Sequence, residues 1–201
     1  DSQIMLRSNE NENSFLPQSD LMGMMGVSGM KNTEDEIEVL TSRDKIAEII
    51  RTLDLQTEYR KKDKLRWVGQ YPHRDVSINY APMLLDTTNR GIKVTVKVRK
   101  KDYHVQVKFG KYLKSKHVVT DLTMPFNTCI GPMSFTIHRP EEVEVGDKFV
   151  ISTLPMLLRV NEYKKEIAAA LVKKESNVIS ISTVTDMPGR AKEFILMEID
   201  L

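Results

Sequence analysis

Residues able to ligate a metal or shuttle a proton are few in this chain: His73, His104, His117 and His138, with Cys129 as the one available thiol. Metal sites need clustered ligands at short, characteristic spacings. These four histidines are scattered and no second cysteine joins them, so solvated surface histidines are expected. Cys129, in "FNTCIGPM", has no histidine or charge pair near it in sequence. A low-pKa nucleophile needs such an electropositive neighbour, and a buried inert thiol is expected instead. No G-x-x-x-x-G-K-[ST] phosphate loop and no G-x-S-x-G elbow occurs. Paired carboxylates of the kind that hydrolyse glycosides meet in space rather than in sequence, and no pair stands out. No catalytic residue, cofactor or metal site is expected, and the fragment is not expected to be an enzyme.

Charge is the more informative chemistry. The formal net charge is +2, too small to point to nucleic acid. Its distribution is uneven. From Arg90 to Lys116 every charged residue except Asp102 is basic, whereas from Glu10 to Asp54 acids outnumber bases. Such asymmetry suggests an acidic partner, or complementary faces on copies of one molecule. Lys93, Lys97, Arg99, Lys100 and Lys101 are the candidate anion-facing residues, with acids of a neighbouring subunit, lipid head groups or an anionic glycan as candidate partners. The competing expectation is a solvated face, because edge strands carry lysine to block aggregation.

A strand pair positions these cations. Ile92, Val94, Val96 and Val98 alternate with Lys93, Thr95, Lys97 and Arg99. After the turn "KKD", Tyr103, Val105, Val107 and Phe109 alternate with His104, Gln106 and Lys108. Period-two alternation of this kind reads as a hairpin with one buried and one wet face. Further strands are expected near Leu65–Gly69 and Val76–Tyr80, in "MSFTIH" with Met133, Phe135 and Ile137 inward, and in "KFVIST". "QIMLR" reads as a strand end. "LMGMMGVSGM" reads first as a loop lying over the core and, as the alternative, as a segment contacting a partner.

Helical periodicity is clearest in "NTEDEIEVLTSRDKIAEIIRTLDL". Thr33 and Glu36 have the spacing of a capping box, and Val39, Leu40, Ile46, Ala47, Ile49, Ile50 and Leu53 form one apolar stripe. One continuous helix from Thr33 to about Leu53 is expected, with Arg43 projecting from the middle of its apolar face. The plainer expectation for Arg43 is a stem packed on the core with its head on a backbone carbonyl. The sharper one is contact with a neighbouring subunit, together with Glu36. "PMLLRVNEYKKEIAAALV" is expected as a helix, "NVISISTVT" as a strand, and "DMPGRAKEFILMEIDL" as a closing helix capped by Asp186. The order predicts an α+β fold: one domain over 1–201, a mixed sheet packed against helices, with a β-meander inserted at 57–153.

The helix segment Glu36, Ile37, Glu38, Val39, Leu40, Ser42, Arg43, then Leu53 and Leu55, resembles the helix after the first membrane span of chain-length determinant proteins. These are the Wzz-type polysaccharide co-polymerases and the related exopolysaccharide-transport tyrosine kinases. "YPHRDVSINY", "FNTCIGPMSFTI" and "NVISISTVTDMPGRAKEFILMEIDL" are similar to later segments of that family, and the resemblance is weakest across the basic hairpin. It implies the periplasmic domain of a bacterial inner-membrane protein, with a membrane span on each flank outside this fragment. It also implies a homo-oligomeric ring that sets the length of a capsule, exopolysaccharide or O-antigen chain beside the polymerase and export machinery. Some members carry or partner a cytoplasmic tyrosine kinase. The alternative from the residues themselves is an extracytoplasmic glycan-binding or adhesin-like module using the basic hairpin. Nucleic acid is not an expected partner.

Overall fold

The computed structural model describes residues 2–7, 35–81, 85, 88–171, 178–183, 185 and 187–200. Thr33 as a helix cap, the Met/Gly stretch 21–30, Asn177 and the Asp186 cap lie outside these residues. The fold is α+β. Two compact units form, residues 54–159 and residues 1–53 with 160–201.

In the second of these units, β1 (Ser2–Arg7) pairs antiparallel with β12 (Val178–Thr183), which pairs on its other side with β11 (Ile167–Leu171). Ile179 and Ile181 of β12 are buried with Ile195 of the closing helix α3 (Pro188–Asp200), and Ile37 and Leu40 pack on this cluster. Helix α3 also packs against α1 (Arg43–Thr52), whose Ile46, Ile49 and Ile50 are fully buried.

The continuous helix expected from Thr33 is interrupted. Residues 35–40 are helical, and the chain then leaves the helix at Thr41 and Ser42. Ser42 takes an extended conformation (φ −68°, ψ 150°), and its hydroxyl accepts the Lys45 N–H at 3.3 Å, starting α1 afresh. Arg43 therefore stands exposed in the first turn of α1 and not on an apolar stripe, and Val39 is 60 % exposed. Replacing Ser42 with alanine removes the cap and is expected to cost about 1 kcal/mol, read as a lower midpoint in urea unfolding. An unchanged midpoint would show that tertiary packing alone sets this helix start.

A second difference lies after helix α2 (Met156–Glu166). "IAAAL" was expected to continue the helix, yet it forms β11, with Ala169 opposite Ile181. Alanine favours helix intrinsically, but a ladder to an already buried strand satisfies its backbone groups and outweighs that preference.

The 54–159 unit is a β-sandwich. One sheet has six strands in the order β3 (Arg66–Gly69), β2 (Thr57–Asp63), β10 (Lys148–Thr153), β5 (Ile92–Val98), β6 (Tyr103–Phe109), β7 (Leu113–Val119). The other has three, β4 (Val76–Tyr80), β9 (Gly131–Ile137) and β8 (Phe126–Thr128). Every ladder between these strands is antiparallel. The hairpin read from alternation is β5–β6, and its valines enter the core with Val76, Ile78, Met133, Phe135 and Phe149. Strand β7 was not anticipated, because its inward positions are Ser115, His117 and Val119 and the apolar period is faint.

Thr57 and Thr153, the ends of the expected inserted stretch, are partners in the β2–β10 ladder, and their hydroxyls meet at 2.9 Å.

Candidate functional site

Strand alternation and antiparallel register together build a basic surface. Residues directly opposite in a ladder project to the same face, so the outward positions of β10, β5, β6 and β7 line up in rows across the strands. One row is Ser152, Lys93, Lys108, Lys114. The next is Val150, Thr95, Gln106, Lys116, and a third is Lys148, Lys97, His104, Val118. On β2 and β3 the same face carries Arg60, and Lys62 opposite Trp67. Lys62, Lys93, Lys97, Lys108, Lys114 and Lys116 are exposed, and among the described residues none of them makes an ion pair.

Of the acids nearby, Glu58 is already engaged. Glu58, on the outward side of β2, meets Arg159 at 3.1 Å and Arg60 at 3.6 Å. Asp102, in the β5–β6 turn, lies 3.3 Å from His104 Nε2. Lys61, which points to the other side of β2, shows what the fold does when a lysine is to be neutralised. Burial alone would lower its pKa, but Asp147 at 2.9 Å and Asp75 at 3.6 Å hold it above the ordinary lysine value. Among the described residues the outward lysines have no such acids.

Edge protection does not account for them. The sheet's edges are β3 and β7, while β5, β6 and β10, which carry Lys93, Lys97, Lys108 and Lys148, are interior. Lys108 is flanked directly by Lys93 and Lys114, and like charges opposite one another destabilise a ladder. Lys108→Glu is therefore expected to raise stability by roughly 0.5–1 kcal/mol at low salt, with the gain shrinking as salt is added. Equal midpoints for variant and parent in low-salt urea unfolding would mean that the row is not electrostatically strained.

The five basic residues singled out from sequence are all exposed. Lys93 and Lys97 lie on the sheet face, and Arg99, Lys100 and Lys101 lie in the turn that follows. A hollow of about 720 Å³ is lined by Lys62, Lys97, Arg99, Lys100, Lys101 and Lys148, with one acid, Asp102, and the apolar Val98 and Val145 also on its walls. A second, about 290 Å³, is lined by Thr95, Lys97, Arg99, His104, Gln106 and Lys116. One wall of the larger hollow is Gly146, whose φ of +105° suits glycine. Its N–H bonds Val98 O at 3.0 Å, holding the 144–147 turn beside the end of β5. The contributions of Lys62 and Lys148 were not legible in sequence, because pairing between strands so far apart leaves no local pattern.

No known protein family and no curated protein matches the chain.

The other sequence-derived candidates, Glu36 and Arg43, are both exposed, and neither makes an ion pair among the described residues. The histidines lie apart: His104 beside Asp102, His117 against the Phe126 ring at 5.4 Å, His138 bonded to Ser77 at 2.8 Å. Among the described residues no three of His, Cys, Asp or Glu could jointly hold a metal ion, and no helix is long and apolar enough to cross a membrane. Cys129 is half-buried against the sandwich core, its sulfur 3.9 Å from Val107 O. Sequence reasoning missed the buried charges. Asp75 is enclosed by Arg139, Lys61 and Gln70, Arg159 is 2 % exposed, and Glu198 is 1 % exposed, with neither carboxylate oxygen hydrogen-bonded among the described residues.

Proposed function

We propose that this chain is a non-catalytic periplasmic assembly domain of a bacterial inner-membrane polysaccharide co-polymerase, regulating chain length in capsule, exopolysaccharide or O-antigen export. The observation that carries this is topological. Strand β1 pairs with β12 from Ser2 opposite Thr183 to Arg7 opposite Val178, and α3 follows directly after β12. The first and last elements thus share one small α+β unit, while 54–159 is an excursion from it. That arrangement suits a domain held at both ends by membrane spans. Exposed Glu36 and Arg43 give the same unit polar groups to offer a neighbouring subunit in a homo-oligomeric ring, beside the polymerase and export machinery. Any cytoplasmic tyrosine kinase belongs to another part of the protein or to a partner chain.

The test is the polysaccharide length distribution in cells carrying the intact protein. Arg43→Glu at normal protein level is expected to broaden or shift the distribution, and deletion of the whole domain to abolish length control. A ladder unchanged by deletion of the domain would overturn the proposal. The basic sheet face favours a second reading, a glycan-binding or adhesin-like module, which needs no length control.

A further inference from the structure

We propose that the outward face of the six-stranded sheet is a binding track for an acidic polysaccharide, a linear sugar chain bearing carboxylates. This needs neither the ring nor the membrane spans, since every residue involved belongs to the 54–159 unit.

The two hollows share Lys97 and Arg99, so a ligand filling both must be extended and must cross the strands. From β2 to β7 that path covers about 19 Å, at about 4.8 Å per strand. Its floor is neutral and polar. Thr95 and Gln106, half-buried and opposite one another, lie between the Lys93–Lys108–Lys114 row and the row holding Lys148 and Lys97. Lys93 and Lys97 are four residues apart on one strand, roughly 13 Å. Hydroxyl and amide groups on the floor suit sugar hydroxyls, and cations on both flanks suit carboxylates projecting sideways from the chain.

The composition of the face selects among anions. Its flanks are mainly lysine, a hydrated point charge that attracts anions without the fixed fork by which arginine recognises carboxylate and phosphate. Single-stranded nucleic acid binds on aromatic stacking platforms. The aromatic side chain on the outward face of the central strands is the imidazole of His104 alone, and Trp67 stands at the far edge on β3 with Lys148 Nζ 5.3 Å from its ring centre. An anionic bilayer would draw in apolar side chains among the lysines, and these rows contain only Val118 and Val150.

Trp67 is the one tryptophan of the chain and, beside Lys62 and Lys148, reports on the larger hollow. The experiment titrates the 201-residue chain at low salt with polygalacturonate, following Trp67 fluorescence and heat of binding. Neutral dextran, single-stranded DNA and phosphatidylglycerol vesicles are titrated in parallel. Saturable binding of polygalacturonate, weakened by salt, with no response to dextran and weaker binding of DNA and vesicles, is the expected result. Lys97→Glu, which touches both hollows, is expected to weaken it at least tenfold, and Gln106→Ala several-fold. Lys192→Glu, exposed on α3 in the other unit, is expected to leave it unchanged. Unaltered thermal unfolding of each variant keeps these losses separate from misfolding. The proposal is overturned if polygalacturonate fails to saturate, if dextran binds equally well, or if Lys97→Glu binds as the parent does. Tighter binding of DNA or of vesicles would also overturn it, assigning the face to nucleic acid or to a membrane. None of these results depends on the length distribution that tests the assembly role.

Discussion

Arg159→Ala is expected to lose about 3–5 kcal/mol of stability, seen as a large fall in the urea midpoint of the chain. The guanidinium is buried and every edge of it is used. Nε and Nη2 donate to Gln56 O at 3.2 and 3.0 Å, Nη2 donates to Ser152 O at 3.2 Å, and Nη1 meets Glu58 at 3.1 Å. These partners lie at the start of β2 and the end of β10, which are paired, and Gln56 Nε2 there also bonds Leu154 O at 3.0 Å. Truncation leaves backbone carbonyls without donors and Glu58 with a partly buried, under-compensated charge. Arg159→Lys keeps the charge but cannot reach three acceptors in one plane, so it is expected to recover only part of the loss. If lysine restored the full midpoint, the fork geometry would be irrelevant and charge alone would matter.

Glu198→Gln is expected to leave stability near pH 4 unchanged and to raise it at pH 8. Burial pushes the Glu198 carboxyl up to about 7, against the opposing pull of the Lys45 ammonium. In the unfolded chain the group titrates near 4.5. Below that value it is protonated in both states and no penalty arises. As pH rises from 4.5 towards 7 the unfolded chain releases its proton while the folded chain keeps it, so stability falls. Above 7 both states are ionised and the loss persists, roughly 3–3.5 kcal/mol for a rise from 4.5 to about 7 at about 1.4 kcal/mol per pKa unit. The variant, compared with the parent, is expected to gain this amount between pH 4 and pH 8. Parallel stability profiles for the two proteins would show that folding leaves the Glu198 carboxyl titrating as it does in the unfolded chain.

How much of this could be read from sequence depends on whether the signal is local. The β5–β6 hairpin is legible because valine and lysine alternate over seven residues on each strand, and its outward lysines follow at once. What makes them a site is not local: Lys148 lies beside Lys97, and Lys62 on β2 joins them, through ladders between distant segments. The same limit hid Arg159 and Glu198, whose surroundings come from chain segments far away. Arg43 failed for another reason. A helical wheel adds up periodicity across a break without seeing it, although Thr41, Ser42 and Asp44 together carry a second helix-start signal. In "IAAAL" the local preference was clear and tertiary pairing with β12 overrode it.

The proposed assembly role depends on copies of the domain meeting when the proposed membrane anchors confine and orient them, which raises effective concentration as a tether does. Soluble interfaces that are modest and partly polar do not by themselves offset the rigid-body freedom lost on association. The most direct measurement is the mass of the intact protein, extracted in mild detergent and passed through size exclusion with light scattering. A discrete homo-oligomer, reduced to smaller species by Arg43→Glu, is the predicted result. A monomer under conditions that preserve the fold would contradict the proposed function at its centre.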